Sequence, residues 1–106
     1  MSSLDGEYAF PLPVGKNLIG REGAMSEYLA KKNYVSRRHA QLNLENGKVF
    51  IENISKTNYT YINNVLITDG VVELHDGDII GLGGNEIEGK RQDGAAYFMM
   101  RIGTCI

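Results

Sequence analysis

Arg38-His39-Ala40-Gln41-Leu42-Asn43-Leu44-Glu45-Asn46-Gly47-Lys48-Val49-Phe50-Ile51-Glu52 is the stretch on which the fold turns. From Arg38 to Leu44, polar and apolar side chains alternate for several residues, the period-2 pattern of a strand buried on one face. Asn46-Gly47 follows, the strongest short-range hairpin signal, because a two-residue turn of this kind needs left-handed backbone that Asn and Gly tolerate. Lys48 to Glu52 is then rich in β-branched and aromatic side chains. The stretch reads as an antiparallel hairpin.

Outward from it, short apolar runs alternate with turn residues. Further strands are expected at Tyr59 to Asn63, Val71 to Leu74, Asp78 to Leu82 and Ala96 to Ile102. Asp69-Gly70, Asp76-Gly77, Gly83-Gly84 and Asp93-Gly94 supply the turn chemistry between them. Many short strands at intervals of roughly 8–12 residues predict an all-β sandwich or barrel. Toward the N-terminus, Asp5-Gly6 reads as a hairpin turn with Tyr8 to Leu12 as the strand after it. Only Met1 to Leu4 are left for the strand before it, so a domain with its first strand truncated, cut from a longer protein, is expected. One segment breaks the pattern. Gly23 to Val35 is long for a loop, and within it Met25 to Lys32 has the composition for about two helical turns, with Ser26 placed to cap them. Long loops in compact domains are binding elements or disordered, and this one reads as functional.

At 106 residues the chain fits one domain spanning residues 1–106, large enough for a hydrophobic core without disulfide staples. The lone cysteine, Cys105, cannot build a disulfide framework, and it lies too close to the end for a prenylation signal. No apolar stretch approaches the roughly 18 residues that span a membrane, and Met1 to Glu7 lacks the regions of a secretory signal. A cytoplasmic setting is the expectation. The net charge of −2 argues against broad nucleic-acid binding. Its distribution is uneven: residues 1–56 hold eight basic and six acidic side chains, residues 57–106 three and seven. Lys31, Lys32, Arg37, Arg38, Lys48 and Lys56 fall in one central window, which reads as a solvated face or as a local anion site.

Catalysis finds little support. The chain has no nucleophile elbow, no Walker-type phosphate loop and no metal-ligand cluster. His39 and His75, the only histidines, have no cysteine or paired carboxylate at ligand spacing. Ser36 stands three residues before His39, but that spacing does not guarantee contact and no third group is evident. No enzyme, no cofactor and no metal are expected.

Four pieces remain, in order: Gly20-Arg21 ending a strand, Ser36-Arg37-Arg38-His39 starting one, Lys56-Thr57-Asn58-Tyr59-Thr60 in a turn, and Asp76-Gly77-Asp78-Ile79-Ile80. A phosphate dianion needs a delocalised cation and several short hydrogen-bond donors. Arg21 offers a planar fork that lysine does not match, while Ser36 and Thr57 offer hydroxyls. Such groups converge from separate loops only when rigid strands stand behind them. Singly, each has an ordinary reading as a strand-end cation, a turn hydroxyl or a solvated surface group. The ordered set resembles the forkhead-associated (FHA) domain family from about Leu18 to Leu82.

The resemblance implies a β-sandwich of two mainly antiparallel sheets, FHA/SMAD-like, and a phosphothreonine-recognising interaction module of a Ser/Thr kinase pathway. It implies that Arg21 and Ser36 bind phosphate with Thr57 or Lys56 assisting. Asn58 would hold the peptide backbone, Arg37 would line the surface, and Tyr34 would touch the third residue after the phosphothreonine. Gly20, His39 and Asn63 would support the site structurally. The partner implied is a phosphothreonine protein or peptide, with no nucleic acid and no membrane, the domain being a monomer by default. Two departures stand out. Tyr59 occupies the usual glycine position, costing about 1–2 kcal/mol if φ there is positive, and Lys56 replaces the usual serine. They favour, as the alternative, a phospho-independent scaffolding domain of the same fold.

Overall fold

The hairpin of residues 38–52 forms the middle of one sheet in the computed structural model, which describes residues 1–68, 70–85, 89–92 and 94–102. Strand β3 (Ala40–Glu45) pairs antiparallel with β4 (Lys48–Asn53), Leu42 facing Ile51 and Leu44 facing Val49. Asn46 and Gly47 both have positive φ, 52° and 74°, so the turn has the left-handed backbone that its sequence predicts. β2 (Gly15–Ile19) joins the outer side of β3, and β7 (Val71–Leu74) joins β4. The other sheet has the order β1-β9-β8-β5-β6, from β1 (Ser2–Ser3), β9 (Ala96–Met99), β8 (Ile79–Leu82), β5 (Thr60–Ile62) and β6 (Val65–Ile67). Every strand pair is antiparallel.

The two sheets bury one core between them. Leu42, Ile51 and Leu74 enter it from the first sheet, and Ile80, Leu82 and Phe98 from the second, each at most 1% exposed. Burying an aliphatic or aromatic side chain of this size stabilises the fold by about 1.5–3 kcal/mol. The alternation that marked the strands is therefore the alternation between core and solvent.

Several boundaries differ from those expected. Tyr8 to Leu12 is not a strand: it makes only the isolated bridge Ser2↔Ala9. Pro11 and Pro13 have no amide to give a ladder, which ends pairing there. The Asp5-Gly6 turn itself forms, with Gly6 at φ 77° and its amide donating to Ser3. β3 begins at Ala40, β5 at Thr60 and β8 at Ile79, each later than the alternation suggested, and β9 stops at Met99. β6 was not foreseen; its Val65 and Leu66 are exposed, and Asn63-Asn64, with φ 50° and 66°, turns β5 back onto it. Of the remaining expectations, Asp69, Asp93 and Cys105 lie outside the described residues.

The segment 23–35 is docked. It contains one helical turn, α1 (Ser26–Leu29), rather than two. Ser26 is its first helical residue and makes no capping bond; Met25, at φ 69°, holds the cap position instead. Met25, Leu29 and Val35 are buried in the core, so packing rather than helix propensity fixes the segment. Tyr28 stacks on Tyr8, ring centroids 5.3 Å apart, and its hydroxyl donates to Asp5. Burial and that carboxylate push the Tyr28 phenol up to about 12. The rim of the segment is thus tied to the N-terminal turn.

Candidate functional site

At one end of the sandwich, the chain leaving β2 runs beside the chain entering β3. The Arg21 amide donates to the Ser36 carbonyl at 3.1 Å and the Glu22 amide to the Arg37 carbonyl at 3.0 Å. Gly20 makes this approach possible, because a Cβ there would stand 2.3 Å from the Arg37 oxygen and 2.7 Å from that of Ser36. The Arg21 side chain then folds against the same loop, Nε donating to the Val35 carbonyl at 2.6 Å. That bond fixes the guanidinium plane and leaves its two terminal nitrogens for another acceptor. Among the described residues no carboxylate pairs with Arg21.

The Ser36 hydroxyl sits in a cluster of polar side chains from the turn after β4. Asn58 Nδ2 donates to Ser36 Oγ at 2.9 Å, Ser55 Oγ lies 2.6 Å from it, and Thr57 Oγ1 lies 3.5 Å away. Ser55 was not singled out in the sequence, yet it organises the turn. Its hydroxyl accepts the Asn58 amide at 3.0 Å and the Thr57 amide at 3.3 Å. The signal for it is present: a serine two residues before Thr57 can bond the backbone ahead of it in the manner of an ST-turn. Asn53 completes the brace by donating to the Ser55 carbonyl and accepting from buried Thr60, at 2.9 and 2.8 Å.

His39 is fully buried and ties these pieces together. Nδ1 accepts the Ser36 amide at 3.0 Å, and Nε2 faces the Tyr59 carbonyl at 3.0 Å. The ring is therefore neutral with its proton on Nε2. Its backbone amide donates to Ile19, and its carbonyl accepts the amides of Ile54 and Ser55. The link to Ser36 runs through the serine backbone, not its hydroxyl, so the ring does not serve that hydroxyl as a base.

Burial holds the His39 pKa below its usual value, against the opposing pull of the Tyr59 carbonyl. Unfolded chains then bind more protons than folded ones between the lowered value and about 6.5. Stability from this group is complete above about pH 6.5 and is lost as pH falls through the lowered value. Chemical denaturation at several pH values is expected to give a slope there approaching 1.4 kcal/mol per pH unit, by about one proton's linkage. A non-titrating His39→Asn chain should lack that component. An equally steep slope in both would exclude His39 as its source.

Around this centre, Arg37, Arg38, Lys56 and Thr57 are exposed and line an open depression with Ser36. Arg37 is 3.8 Å from Glu22, a solvent-exposed pair worth little net energy. Tyr34 is half-exposed, its amide bound to the Gly94 carbonyl at 2.8 Å. Tyr59 does not have positive φ, so the strain expected from replacing glycine is absent; its backbone follows a path open to any residue. Asn63 lies away from the cluster, where its side chain accepts the Ile79 amide at 2.9 Å and donates to Asp78 at 3.0 Å. Asp78 in turn accepts the His75 amide at 2.8 Å, which explains the Gly-Asp ahead of β8.

A sandwich with donor-bearing loops gathered at one end is the architecture of a loop-recognition module. The chain belongs to the FHA domain family: the family's model matches residues 17–83. It is 33% identical over 78 residues to the FHA domain-containing protein FhaA of Mycobacterium tuberculosis, covering 74% of this chain and 14% of that protein. A solved FHA domain, from work on phosphothreonine-dependent FHA domain interactions, superposes with TM-score 0.75 at 26% identity over 98% of this chain and 95% of its own. The FhaA FHA domain in complex with the intracellular domain of Rv3910 gives TM-score 0.70 at 26% identity, over 93% and 96% of the two chains.

Proposed function

We propose that this domain binds phosphothreonine-containing proteins, using Arg21 and Ser36 on the phosphate. The observation that carries the reading is the Arg21 guanidinium held on the Val35 carbonyl, one residue from Ser36, with its terminal nitrogens turned to no internal partner among the described residues. Thr57 and Lys56 assist at the rim of the depression, and Arg37 lines it. Asn58, now bonded to Ser36, is the group that exchanges this contact for the peptide backbone. Tyr34 meets the peptide further along, while Gly20 and His39 support the site directly and Asn63 braces the turn ahead of β8. Two relatives are described as a phosphothreonine-dependent FHA domain and as an FHA domain in complex with another protein's intracellular domain. That accords with a non-catalytic adaptor in a cytoplasmic Ser/Thr kinase pathway; among the described residues no helix is long and apolar enough to cross a membrane.

Titration with a library of phosphothreonine peptides, before and after phosphatase treatment, tests the reading. Binding that disappears on dephosphorylation is the expected result. Binding that survives it would support the phospho-independent scaffold instead. Phosphoserine versions should bind less tightly. One buried methyl is worth about 0.8 kcal/mol, or roughly fourfold.

A further inference from the structure

The sheet β2-β3-β4-β7 meets the core with one face only. Leu42, Val49, Ile51 and Leu74 are buried on that face, so the residues alternating with them point the other way. Strand register sets these outward residues in rows. The middle row runs Lys16, Asn43, Phe50, Glu73 across the four strands. Nearer the candidate site the next row runs Leu18, Gln41, Glu52, Val71, and at the far end Glu45 lies beside Lys48. Leu18 and Phe50 are partly exposed, and Val71 is 61% exposed. Among the described residues, Lys16, Glu45, Lys48 and Glu73 form no ion pair within the chain. Glu45 only accepts from Asn43, at 3.5 Å. Apolar surface rimmed by charges of both signs has the make-up of an interface.

We propose that this face pairs with the same face of a second copy, about a two-fold axis running along the strands between β3 and β4. Such an axis lays each row over its own reverse. Lys16 then faces the partner's Glu73, and Phe50 faces the partner's Asn43. Leu18 meets the partner's Val71, Gln41 meets the partner's Glu52, and Glu45 meets the partner's Lys48. Every opposed pair is complementary, and each occurs twice by symmetry. An axis across the strands would instead set Lys16 against the partner's Lys16, which charge disfavours. Aligned stacking about 10 Å apart is an ordinary way for two sheets to pack. Four strands of at most six residues present a face of roughly 19 by 20 Å, about half of the ~800 Å² that each partner covers in a standard interface. The pairing is therefore weak and reversible. It leaves the site loops of both copies at the same end of the pair, because those loops follow the ends of β2 and β4.

Sedimentation equilibrium at low salt, with the protein raised to about 1 mM, provides the test. The wild-type chain is expected to show a monomer–dimer equilibrium that weakens as salt is added. Lys16→Glu and Glu73→Lys should each weaken the dimer by about tenfold or more, since either change breaks two ion pairs and sets like charges together. Both positions are exposed, so each variant should fold, as thermal melting will verify. An equimolar mixture of the two variants should recover wild-type association, because each chain supplies the charge that the other lacks. Lys16 and Glu73 stand on opposite edge strands, about 14 Å apart, so contact within one chain cannot produce that recovery. A wild-type chain that stays monomeric throughout, a dimer indifferent to both variants, or a mixture no better than its components would overturn the pairing.

Discussion

Arg21→Ala is expected to weaken phosphothreonine-peptide binding by about a hundredfold or more, because charge-assisted hydrogen bonds contribute roughly 1.5–3 kcal/mol each and a guanidinium offers two to phosphate. Lysine should rescue it only in part. The Arg21 side chain has two tasks, with Nε spent on the Val35 carbonyl at 2.6 Å and the terminal nitrogens directed elsewhere. A lysine ammonium has the charge but not the fork, so it can hold the loop or the phosphate, not both. Arg21→Lys is therefore expected to lie between alanine and wild type, with a steeper salt dependence than wild type as direct bonds give way to plain charge attraction. Alanine also leaves the carbonyl of buried Val35 without its donor, a cost of about 1–3 kcal/mol in stability. Calorimetric titration of the three forms, each checked by thermal melting, separates the two effects. Equal affinities in folded proteins would remove Arg21 from the phosphate.

The fold was legible where one residue type has one physical use. Asn46-Gly47 takes the left-handed turn that few other pairs accept, and the alternation through Leu42 and Leu44 fixes which face of β3 is buried. β6 was illegible because Val65 and Leu66 are exposed at an edge of the sheet, so three apolar residues in a row gave no period to read. Tyr8 to Leu12 misled for a related reason: local propensity said strand, while two prolines and the pairing available to it said otherwise. In the site, the residues with distinctive chemistry stood out, and those working through backbone did not. Ser55 is an ordinary turn serine in sequence, and only the three-dimensional turn reveals that its hydroxyl carries two amides and touches Ser36. For Tyr59 the sequence left a strained turn or a different local path open, and the φ value, which the sequence does not contain, decides for the different path.

What those backbone contacts share is His39. Its ring and main chain reach Ile19, Ser36, Ile54, Ser55 and Tyr59, so the strand end, the Ser36 loop and the following turn are one rigid body. A loop cluster so braced holds its donors at fixed separations before any ligand arrives, which keeps the ordering cost of binding low.

The strongest test of that rigidity is a single methyl group. Gly20→Ala is expected to destabilise the domain by about 2–6 kcal/mol, combining an overpacking cost of roughly 1–3 with the loss of two backbone hydrogen bonds at roughly 0.5–1.5 each. The methyl carbon would fall 2.3 Å from the Arg37 oxygen and 2.7 Å from the Ser36 oxygen. Those two oxygens accept the Glu22 and Arg21 amides, so neither can retreat without breaking a bond. Both sides of the contact are backbone, leaving no flexible side chain to yield. The comparison that isolates this cause is Gly6→Ala. Gly6 has positive φ but nothing within 4 Å of a built Cβ, so its replacement costs only backbone strain of about 1–2 kcal/mol. Gly20, by contrast, has no positive φ. Denaturant unfolding should rank Gly20→Ala well below Gly6→Ala, and peptide titration should show the first losing affinity because Ser36 is pushed away from Arg21. Near-wild-type stability and binding for Gly20→Ala would mean that the two segments can separate, and the rigid placement of Ser36 beside Arg21 would have to be given up.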